Sequence, residues 1–215
     1  MHPEPLSVTL RHIGAELPPE RSITLNEIID RTGTRGPYAL LIVLSLPFVT
    51  PVSLPGISNV IGTVMLVILW RLVRRQPSLL PKFAGSRPLR HERAQKLLRG
   101  SARVLAFIEK LVRPRRTKWM HWRLAQFVNA SFVAMMALML ALPIPPTIPL
   151  SNTLPGYAII LLSMSLMEED GWLVWAAYAL SAGTFVYLVS MTALQAGAIV
   201  ALYSRYFHRL LDWLH

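Results

Sequence analysis

The sequence contains no cysteine, which excludes disulfides, thiolate catalysis and cysteine-based zinc sites. Its six histidines are scattered and never fall into a metal-binding spacing such as His-Glu-x-x-His. Neither a Gly-x-Ser-x-Gly nucleophile elbow nor a Walker A phosphate loop occurs. No pair of acids lies within an apolar stretch, where burial could adjust a pKa for catalysis. We therefore expect a protein without enzymatic activity that uses no metal and no cofactor.

Charged residues are also scarce, and three long stretches of the chain lack them. They make up 15% of the residues, against 53% apolar residues, and the mean hydropathy is +0.43. The uncharged stretches cover residues 36–70, 124–167 and 171–204, each longer than the roughly 20 residues that cross a bilayer as a helix. This predicts an all-α, multi-pass integral membrane protein. Residues 1–35 lack the pattern of a signal peptide, so we expect internal segments to direct insertion.

Positive charge is in excess, with a formal net charge of +11. Residues 71–123 carry sixteen lysines and arginines against two acids, and residues 89–112 predict an amphipathic helix suited to the headgroup plane. A basic tract can bind nucleic acid, but beside apolar segments it is typical of the cytoplasmic side of a membrane and of anionic lipid. We therefore expect membrane lipids, not nucleic acid, as partners, and assign Arg71, Arg74 and Arg75 to lipid headgroups.

Prolines interrupt two of the apolar stretches, and each interruption contains Leu-Pro-Gly. The first covers residues 46–56 and the second residues 142–156. Proline breaks helices, and unpaired backbone groups are costly in lipid, so such loops must be buried in protein or line a wet cavity. Broken helices at matching places in two halves are typical of transporter binding sites. The pattern predicts two related halves, each a proline-broken re-entrant helical hairpin. It favours inverted repeats, and a single kinked span is the alternative for the first stretch.

Helices starting at Pro55-Gly56 and Pro155-Gly156 would point backbone N–H groups and positive dipole ends towards the membrane interior. Helix N-termini attract phosphate and carboxylate groups, so we predict a site for an anionic lipid or a polyprenyl-phosphate-linked sugar. Its residues are Pro47, Pro51, Pro55, Gly56, Ser58, Asn59, Pro143, Pro145, Asn152, Pro155 and Gly156. The alternative is that the prolines only kink helices and the polar side chains pair with freed carbonyls.

The remaining segments are less specific. Residues 1–35 predict short amphipathic helices in the cytoplasm or at the membrane surface, and residues 124–170 predict a helix followed by the second hairpin. In the latter, Glu168 and Asp170 are candidates for proton coupling, although such a turn is more often only solvated. Residues 171–215 predict a C-terminal membrane helix or helices. Since one helix over this length exceeds the bilayer, it would be steeply tilted, broken near Gly183 or extended past the bilayer. Small-residue pairs (Ala179 with Gly183, Ala193 with Gly197) suit close helix packing within the chain or in a homodimer.

In this order, these motifs resemble the ExoD family, bacterial membrane proteins associated with exopolysaccharide synthesis. The matching features are Gly33-Thr34-Arg35-Gly36, the pair Pro47 and Pro51, Leu54-Pro55-Gly56-Ile57-Ser58 with Gly62, Leu142-Pro143-Ile144-Pro145, Asn152-Thr153-Leu154-Pro155-Gly156 and Asp170-Gly171. The resemblance implies a protein of the bacterial inner membrane tied to exopolysaccharide production, with polysaccharide-synthesis proteins among its partners. It implies a process and no reaction.

Two functional hypotheses follow. The first is a transporter or lipid-carrier flippase for exopolysaccharide export, which needs a water-accessible region around Asn59 and Asn152. The second is a non-transporting scaffold or regulator of the polysaccharide machinery. It needs only buried loops and an exposed surface for a partner, for which the basic amphipathic helix is suited.

Overall fold

The computed structural model describes residues 6–16, 23–49, 56–74, 80, 88, 89, 91–111, 122–145 and 147–214, which are almost entirely helical. The α-helices of this part are α1 (Leu6–Glu16), α2 (Leu25–Arg31), α3 (Gly36–Ser45), α4 (Ile57–Val73), α5 (His91–Leu111), α6 (Arg123–Ala141), α7 (Thr153–Met167) and α8 (Gly171–Leu214). Short 3₁₀ turns at Gly33–Arg35 and Leu46–Phe48 flank α3. A two-residue strand β1 (Ile23–Thr24) pairs antiparallel with β2 (Pro88–Leu89). Apart from this short pair, the all-α prediction is confirmed for the described residues.

The amphipathic helices α1 and α5 pack against each other through their apolar faces. The buried members are Leu6, Leu10 and Ile13 on α1 and Ala94, Leu98, Ala102 and Leu105 on α5. Ile42 of α3 and Met164 of α7 belong to the same cluster, so this pair of helices also covers one side of α3 and α7. Full burial of a leucine side chain contributes about 1.5–3 kcal/mol. The apolar face of α5, which we expected in the headgroup plane, is therefore covered by the chain itself.

Gly36 begins α3 at a place where no side chain fits. A Cβ atom there would lie 2.2 Å from Oγ1 of Thr32 and 2.7 Å from the carbonyl oxygen of Ile29. Thr32 is held in this position because its hydroxyl donates to the same Ile29 carbonyl at 2.7 Å. The Gly-Thr-Arg-Gly motif therefore forms a tight joint between α2 and α3.

Helices α3, α4, α6 and α7 form a ring in which each helix packs against two neighbours. α4 lies along α6, α3 lies along α7, and the hairpins α3–α4 and α6–α7 complete the ring. Its core consists of buried side chains that include Leu41, Phe48, Met65, Val133, Met136, Leu140, Ile159 and Leu162. α8 lies outside the ring, mainly against α7.

Both proline-containing loops lie at the same end of this ring, which we call the proline end. Here Asn59, near the start of α4, contacts Ala141 at the end of α6, and Tyr157, near the start of α7, contacts Val49. At the opposite end the start of α3 meets the end of α7, where Arg35 faces Glu168, and we call this the ion-pair end. The two hairpins therefore run in the same direction. Inverted repeats would place the two loops at opposite ends, so this arrangement does not support our preference for inverted halves.

Helix lengths separate the short hairpin helices from α8. α4 has 17 residues and α7 has 15, which correspond to about 26 and 22 Å, less than the hydrocarbon core of about 30 Å. Within the described part, two apolar segments are long enough to cross a membrane, Leu124–Ala141 in α6 and Gly171–Ala201 in α8. α8 runs unbroken for 44 residues, so a break near Gly183, one of the three alternatives for this segment, is wrong.

Candidate functional site at the proline end

The first Leu-Pro-Gly motif ends at the left-handed residue that precedes α4. Gly56 has φ of +85°, a conformation that is strained for residues with a side chain, and α4 begins at Ile57. Of the earlier prolines in this loop, Pro47 lies in the 3₁₀ turn Leu46–Phe48. Pro51 and Pro55 lie outside the described residues.

Asn59 connects the first turn of α4 to the end of α6. Its Nδ2 donates to the carbonyl oxygen of Ala141 at 3.1 Å, and the buried Ser58 hydroxyl donates to the Asn59 Oδ1 at 3.3 Å. Gly62 allows this approach, because a Cβ atom there would lie 2.5 Å from the backbone nitrogen of Ala141. The last carbonyls of a helix have no partner within the helix. Asn59 therefore satisfies a backbone group that the break after α6 leaves free, as the alternative interpretation expected.

The second Leu-Pro-Gly motif lies inside a helix. α7 begins at Thr153, so Pro155 and Gly156 belong to its first turn instead of preceding it, and both are buried. A Cβ atom at Gly156 would lie 2.8 Å from the Cβ atom of Phe48. The next residue, Tyr157, donates its hydroxyl to the Val49 carbonyl at 2.9 Å. The first turn of α7 thus binds the end of α3 and its 3₁₀ turn, as the first turn of α4 binds the end of α6.

The loop between α6 and α7 is tied to α8. The Thr147 hydroxyl donates to Oε1 of Gln195 at 3.1 Å, and the Tyr187 hydroxyl donates to the Pro149 carbonyl at 3.1 Å. Leu150 has a left-handed φ of +58°. The exposed Pro143 and Pro145 lie at the start of this loop.

Asn152 precedes α7 and is half-buried, but its side chain makes no capping hydrogen bond. Its backbone carbonyl accepts from the Gly156 amide at 3.1 Å. The side-chain amide of Asn152 is therefore not used to start α7. Asn59 and Asn152, which the sequence treats alike, differ in that Asn59 pairs with a helix carbonyl.

The proline end brings the start of α4 and the start of α7 to one end of the ring, as the same-direction hairpins require. Both helices direct the positive end of their dipole towards it. The start of α4 is the more open, since Ile57 is half exposed whereas Thr153 is buried. The amides of residues 57–59 precede the first hydrogen bond of α4, which Val60 donates to the Gly56 carbonyl at 3.3 Å. This geometry suits a negatively charged group at the start of α4.

The two candidate acids lie at the ion-pair end, a full helix length from the proline loops. Glu168 Oε1 lies 4.0 Å from Nη1 of Arg35, and the two side chains are 11% and 21% exposed. The buried Asp170 accepts from the backbone amides of Trp172 and Leu173 at 3.0 and 3.3 Å. Asp170 therefore starts α8 as its N-cap. The structure does not bring these acids together with the predicted substrate-binding residues.

Two of the arginines assigned to headgroups, Arg71 and Arg74, also lie at the ion-pair end. The guanidinium of Arg74 lies over the ring of Trp70, 4.1 Å from its centroid, and Arg71 lies in the last turn of α4. Arg75 lies outside the described residues. Among the described residues, no group of three or more His, Asp or Glu side chains could hold a metal ion.

Sequence reasoning missed several polar contacts between helices. The Tyr178 hydroxyl donates to the amide oxygen of the buried Asn129, which joins α8 to α6, and Phe132 stacks on Tyr178. The contacts of Arg35, Tyr157 and Tyr187 were also missed. Arg35 carried a signal as part of the Gly-Thr-Arg-Gly motif, and Tyr157 because it directly follows Leu-Pro-Gly.

The small-residue pairs on α8 do not pack within the described part of the chain. Nothing lies within 4 Å of where a Cβ atom would stand at Gly183 or at Gly197. Packing within the chain was one of the two interpretations of these pairs, and these two glycines do not support it.

These features define a class of protein, an α-helical bundle of two proline-tipped hairpins with one long apolar helix beside it. The family model "Exopolysaccharide synthesis, ExoD" matches residues 6–190. The chain therefore belongs to the ExoD family of exopolysaccharide synthesis, as its motifs suggested.

Two relatives extend this finding. The chain is 34% identical to Protein ExoD of Rhizobium meliloti (strain 1021) over 166 residues, which cover 77% of this chain and 69% of the relative. It is 30% identical to the uncharacterized protein slr1875 of Synechocystis sp. over 153 residues, 71% of this chain and 70% of the relative. No solved structure matches the chain.

Proposed function

We propose that this protein binds and translocates an anionic lipid or a polyprenyl-phosphate-linked sugar in the bacterial inner membrane during exopolysaccharide synthesis or export. The family supplies the process. The observation that supports the substrate class is the meeting of two Leu-Pro-Gly helix starts at one end of the ring, because helix N-termini favour phosphate. Glu168, beside Arg35, stays a candidate for proton coupling in this proposal.

The two hairpins in this proposal are related by a rotation about an axis along the bundle, not by inversion. In this relation α3 corresponds to α6, and α4 corresponds to α7. The packing of α3 on α7 then corresponds to the packing of α6 on α4, and both packings are extensive. The two hydrogen bonds exchange in the same way, since Asn59 reaches the end of α6 and Tyr157 the end of the α3 segment. The short α4 and α7 favour re-entry, so this proposal replaces the several crossings of the multi-pass prediction by two re-entrant hairpins beside one crossing helix, α8.

A thiol-labelling experiment tests this proposal, because the chain has no cysteine of its own. Single cysteines would replace Ile57, Asn59 and Asn152, with the exposed Val73 at the far end of α4 as the matched control. A charged thiol reagent would be applied to the full chain in membranes, with polyprenyl phosphate or with neutral polyprenol.

The expected result is that the three proline-end cysteines react, and that polyprenyl phosphate slows the reaction whereas polyprenol does not. Val73→Cys should react at the same rate with either lipid. Proline-end cysteines that stay unreactive in a folded protein, or that ignore the phosphate group, would contradict the anionic substrate. Translocation would then be measured as faster reduction by dithionite of a fluorescent anionic lipid in vesicles.

A scaffold function is the second candidate, and one observation favours it. The layer of α1 and α5 uses its apolar faces internally and presents exposed basic side chains outward: Arg11, Lys96, Arg99 and Arg103. Such a surface fits an acidic partner protein of the polysaccharide machinery. Reversing the charge of Arg99 and Arg103 should then lower exopolysaccharide production while labelling at the proline end stays unchanged.

The homodimer also remains a proposal, supported by the open surface of α8 at Gly183 and Gly197. Small residues allow two membrane helices to approach closely. Gly183→Cys should form an intermolecular disulfide under mild oxidation, whereas Thr184→Cys should not, since Thr184 is buried within the chain. Equal crosslinking at both positions, or none at Gly183→Cys, would count against this dimer.

A further inference from the structure

Every tryptophan whose side chain the structure describes lies near the ion-pair end and is more than half exposed. Trp70, Trp122, Trp172 and Trp175 are 57%, 66%, 73% and 63% exposed. Trp70 lies in the last turn of α4, Trp122 directly precedes α6, and the other two lie in the first five residues of α8. Three different helices therefore contribute exposed indoles at the same end of the bundle. We call these four residues the tryptophan belt.

Packing within the chain does not account for this exposure. A tryptophan that is buried on folding removes 150–250 Å² from water, at the typical size of aromatic side chains, and its ring N–H usually finds a hydrogen-bond partner. The four tryptophans on these three helices each keep more than half of their surface exposed, so folding buries only the smaller part of each side chain. An indole is both apolar and a hydrogen-bond donor, so the boundary between lipid tails and water satisfies both parts of it.

The charges around the belt complement an anionic surface. Arg74 lies over Trp70 in a cation–π contact. Two of the three acids in the turn before α8 face the protein, because Asp170 caps α8 and Glu168 faces Arg35, whereas Glu169 is half-buried. Basic residues beside apolar segments are typical of the cytoplasmic side.

We propose that the tryptophan belt marks the level at which the headgroup layer of an anionic phospholipid bilayer surrounds the bundle on its cytoplasmic side. Both hairpins then enter the membrane from the cytoplasm with their proline loops leading. This inference rests on the membrane location proposed above, but not on the identity of the substrate.

The helix lengths give the depth of the proline end. From Trp70 to Ile57 is 13 residues of α4, or about 20 Å, and from Trp122 to Ala141 is 19 residues along α6, or about 28 Å. The hydrocarbon core is about 30 Å thick, so the proline end stays within the core, between about 2 and 10 Å short of the far headgroups. α8 continues past it, because Tyr187 contacts Pro149 and the apolar segment extends on to Ala201. α8 completes the crossing that the hairpins do not.

Two positions on α4 test this level with matched exposure. Val60 and Val73 are 65% and 62% exposed and stand 13 residues apart on one helix. Each would be replaced by cysteine in the full chain, labelled with a nitroxide and reconstituted in phosphatidylglycerol vesicles that contain a nickel-chelating lipid. Trp172→Cys would serve as a second headgroup-level position on α8.

The expected result is a shift of the oxygen-to-nickel accessibility ratio in favour of oxygen for the Val60 label, relative to the Val73 and Trp172 labels. Equal or reversed oxygen-to-nickel accessibility of the Val60 and Val73 labels would overturn the proposal that the headgroup layer lies at the tryptophan belt. Labels that ignore the vesicles would overturn the membrane location as well. If the depth order is as expected but polyprenyl phosphate does not protect Ile57→Cys, the belt stands and only the proposed substrate fails.

Discussion

The two hairpins contain the same tripeptide, Leu-Pro-Gly, and use its glycine for different reasons. Gly56 precedes α4 and has a left-handed backbone, with open space where a Cβ atom would be. Gly156 lies in the first turn of α7 with a helical backbone, and a Cβ atom there would press on Phe48. One glycine supplies a backbone angle and the other supplies room. A repeated motif therefore need not mean a repeated local structure.

What the hairpins do share is how their broken ends are satisfied. In each, a side chain from the first turn of the returning helix donates to a carbonyl at the break in the other hairpin. The shared property is therefore a contact between hairpins, and it becomes visible only when both are folded.

The largest effect is expected at Gly156. Gly156→Ala places a Cβ atom 2.8 Å from the Phe48 Cβ, and neither atom can move by side-chain rotation. Overpacking of this kind costs about 1–3 kcal/mol. Gly183→Ala is the control, because it has free space and alanine favours the helix. Thermal unfolding in detergent should show a large loss of stability for Gly156→Ala and none for Gly183→Ala. Equal losses in the two variants would contradict the packing function of Gly156.

A smaller loss is expected at Gly56, with a different dependence on the size of the new side chain. Gly56→Ala should cost about 1–2 kcal/mol from the strain of a positive φ alone. Gly56→Asn should cost about as much, because a φ of +85° with a ψ of −37° lies outside the left-handed helical region that asparagine tolerates. At Gly156 asparagine should be clearly worse than alanine, because it is larger and the space there is already filled. A clear difference between alanine and asparagine at Gly56, measured by unfolding, would show that space limits this site as well.

The hydrogen bonds between the hairpins should contribute less again. Asn59→Ala and Tyr157→Phe should each cost about 0.5–1.5 kcal/mol. The loss of stability should be larger for Asn59→Ala, because Asn59 is half-buried and its carbonyl partner cannot readily hydrogen-bond to water. Tyr157 is exposed, so its partner can do so. Unfolding midpoints of the two variants and of Tyr157→Leu, which also alters the ring, check this. A greater loss of stability in Tyr157→Phe than in Asn59→Ala would contradict this ranking of the two hydrogen bonds.

The smallest effect is expected at the base of the second hairpin, where Asp170 caps α8. Asparagine and aspartate cap helices about equally well, so Asp170→Asn should change stability by only a few tenths of a kcal/mol, whereas Asp170→Ala should cost about 1 kcal/mol. Lipid translocation in vesicles should survive Asp170→Asn. Loss of translocation with normal stability would instead restore Asp170 to the proton-coupling function that the sequence suggested.

The sequence predicted the helical class and the two hairpins because apolar run length and proline position act locally. It could not predict their relative direction, which depends on contacts between distant segments such as Gly62 with Ala141 and Gly156 with Phe48. It also favoured a start of α7 at Pro155. Any residue of the first turn can be proline, since its missing N–H would have no partner there, and so the start at Thr153 was not distinguishable.

The candidate site was predicted in the same uneven way. Asn59 was identified together with the alternative that it would pair with a freed carbonyl, and that alternative is what the described residues show. Asn152 was identified by analogy and has no such partner for its side chain. A break at Gly183, one of the three alternatives for α8, does not occur, because one glycine costs a helix only about 1 kcal/mol, which the apolar sequence on either side offsets.

The hydrogen bonds between the hairpins also bear on how the protein is made. The Val49 carbonyl accepts its hydrogen bond from Tyr157, which lies 108 residues later in the chain. Asn59 donates to the carbonyl of Ala141, which lies 82 residues later. During synthesis, the first hairpin therefore leaves the ribosome before its two hydrogen-bond partners in the second hairpin exist. Its helix ends reach their final contacts only after the second hairpin has been made.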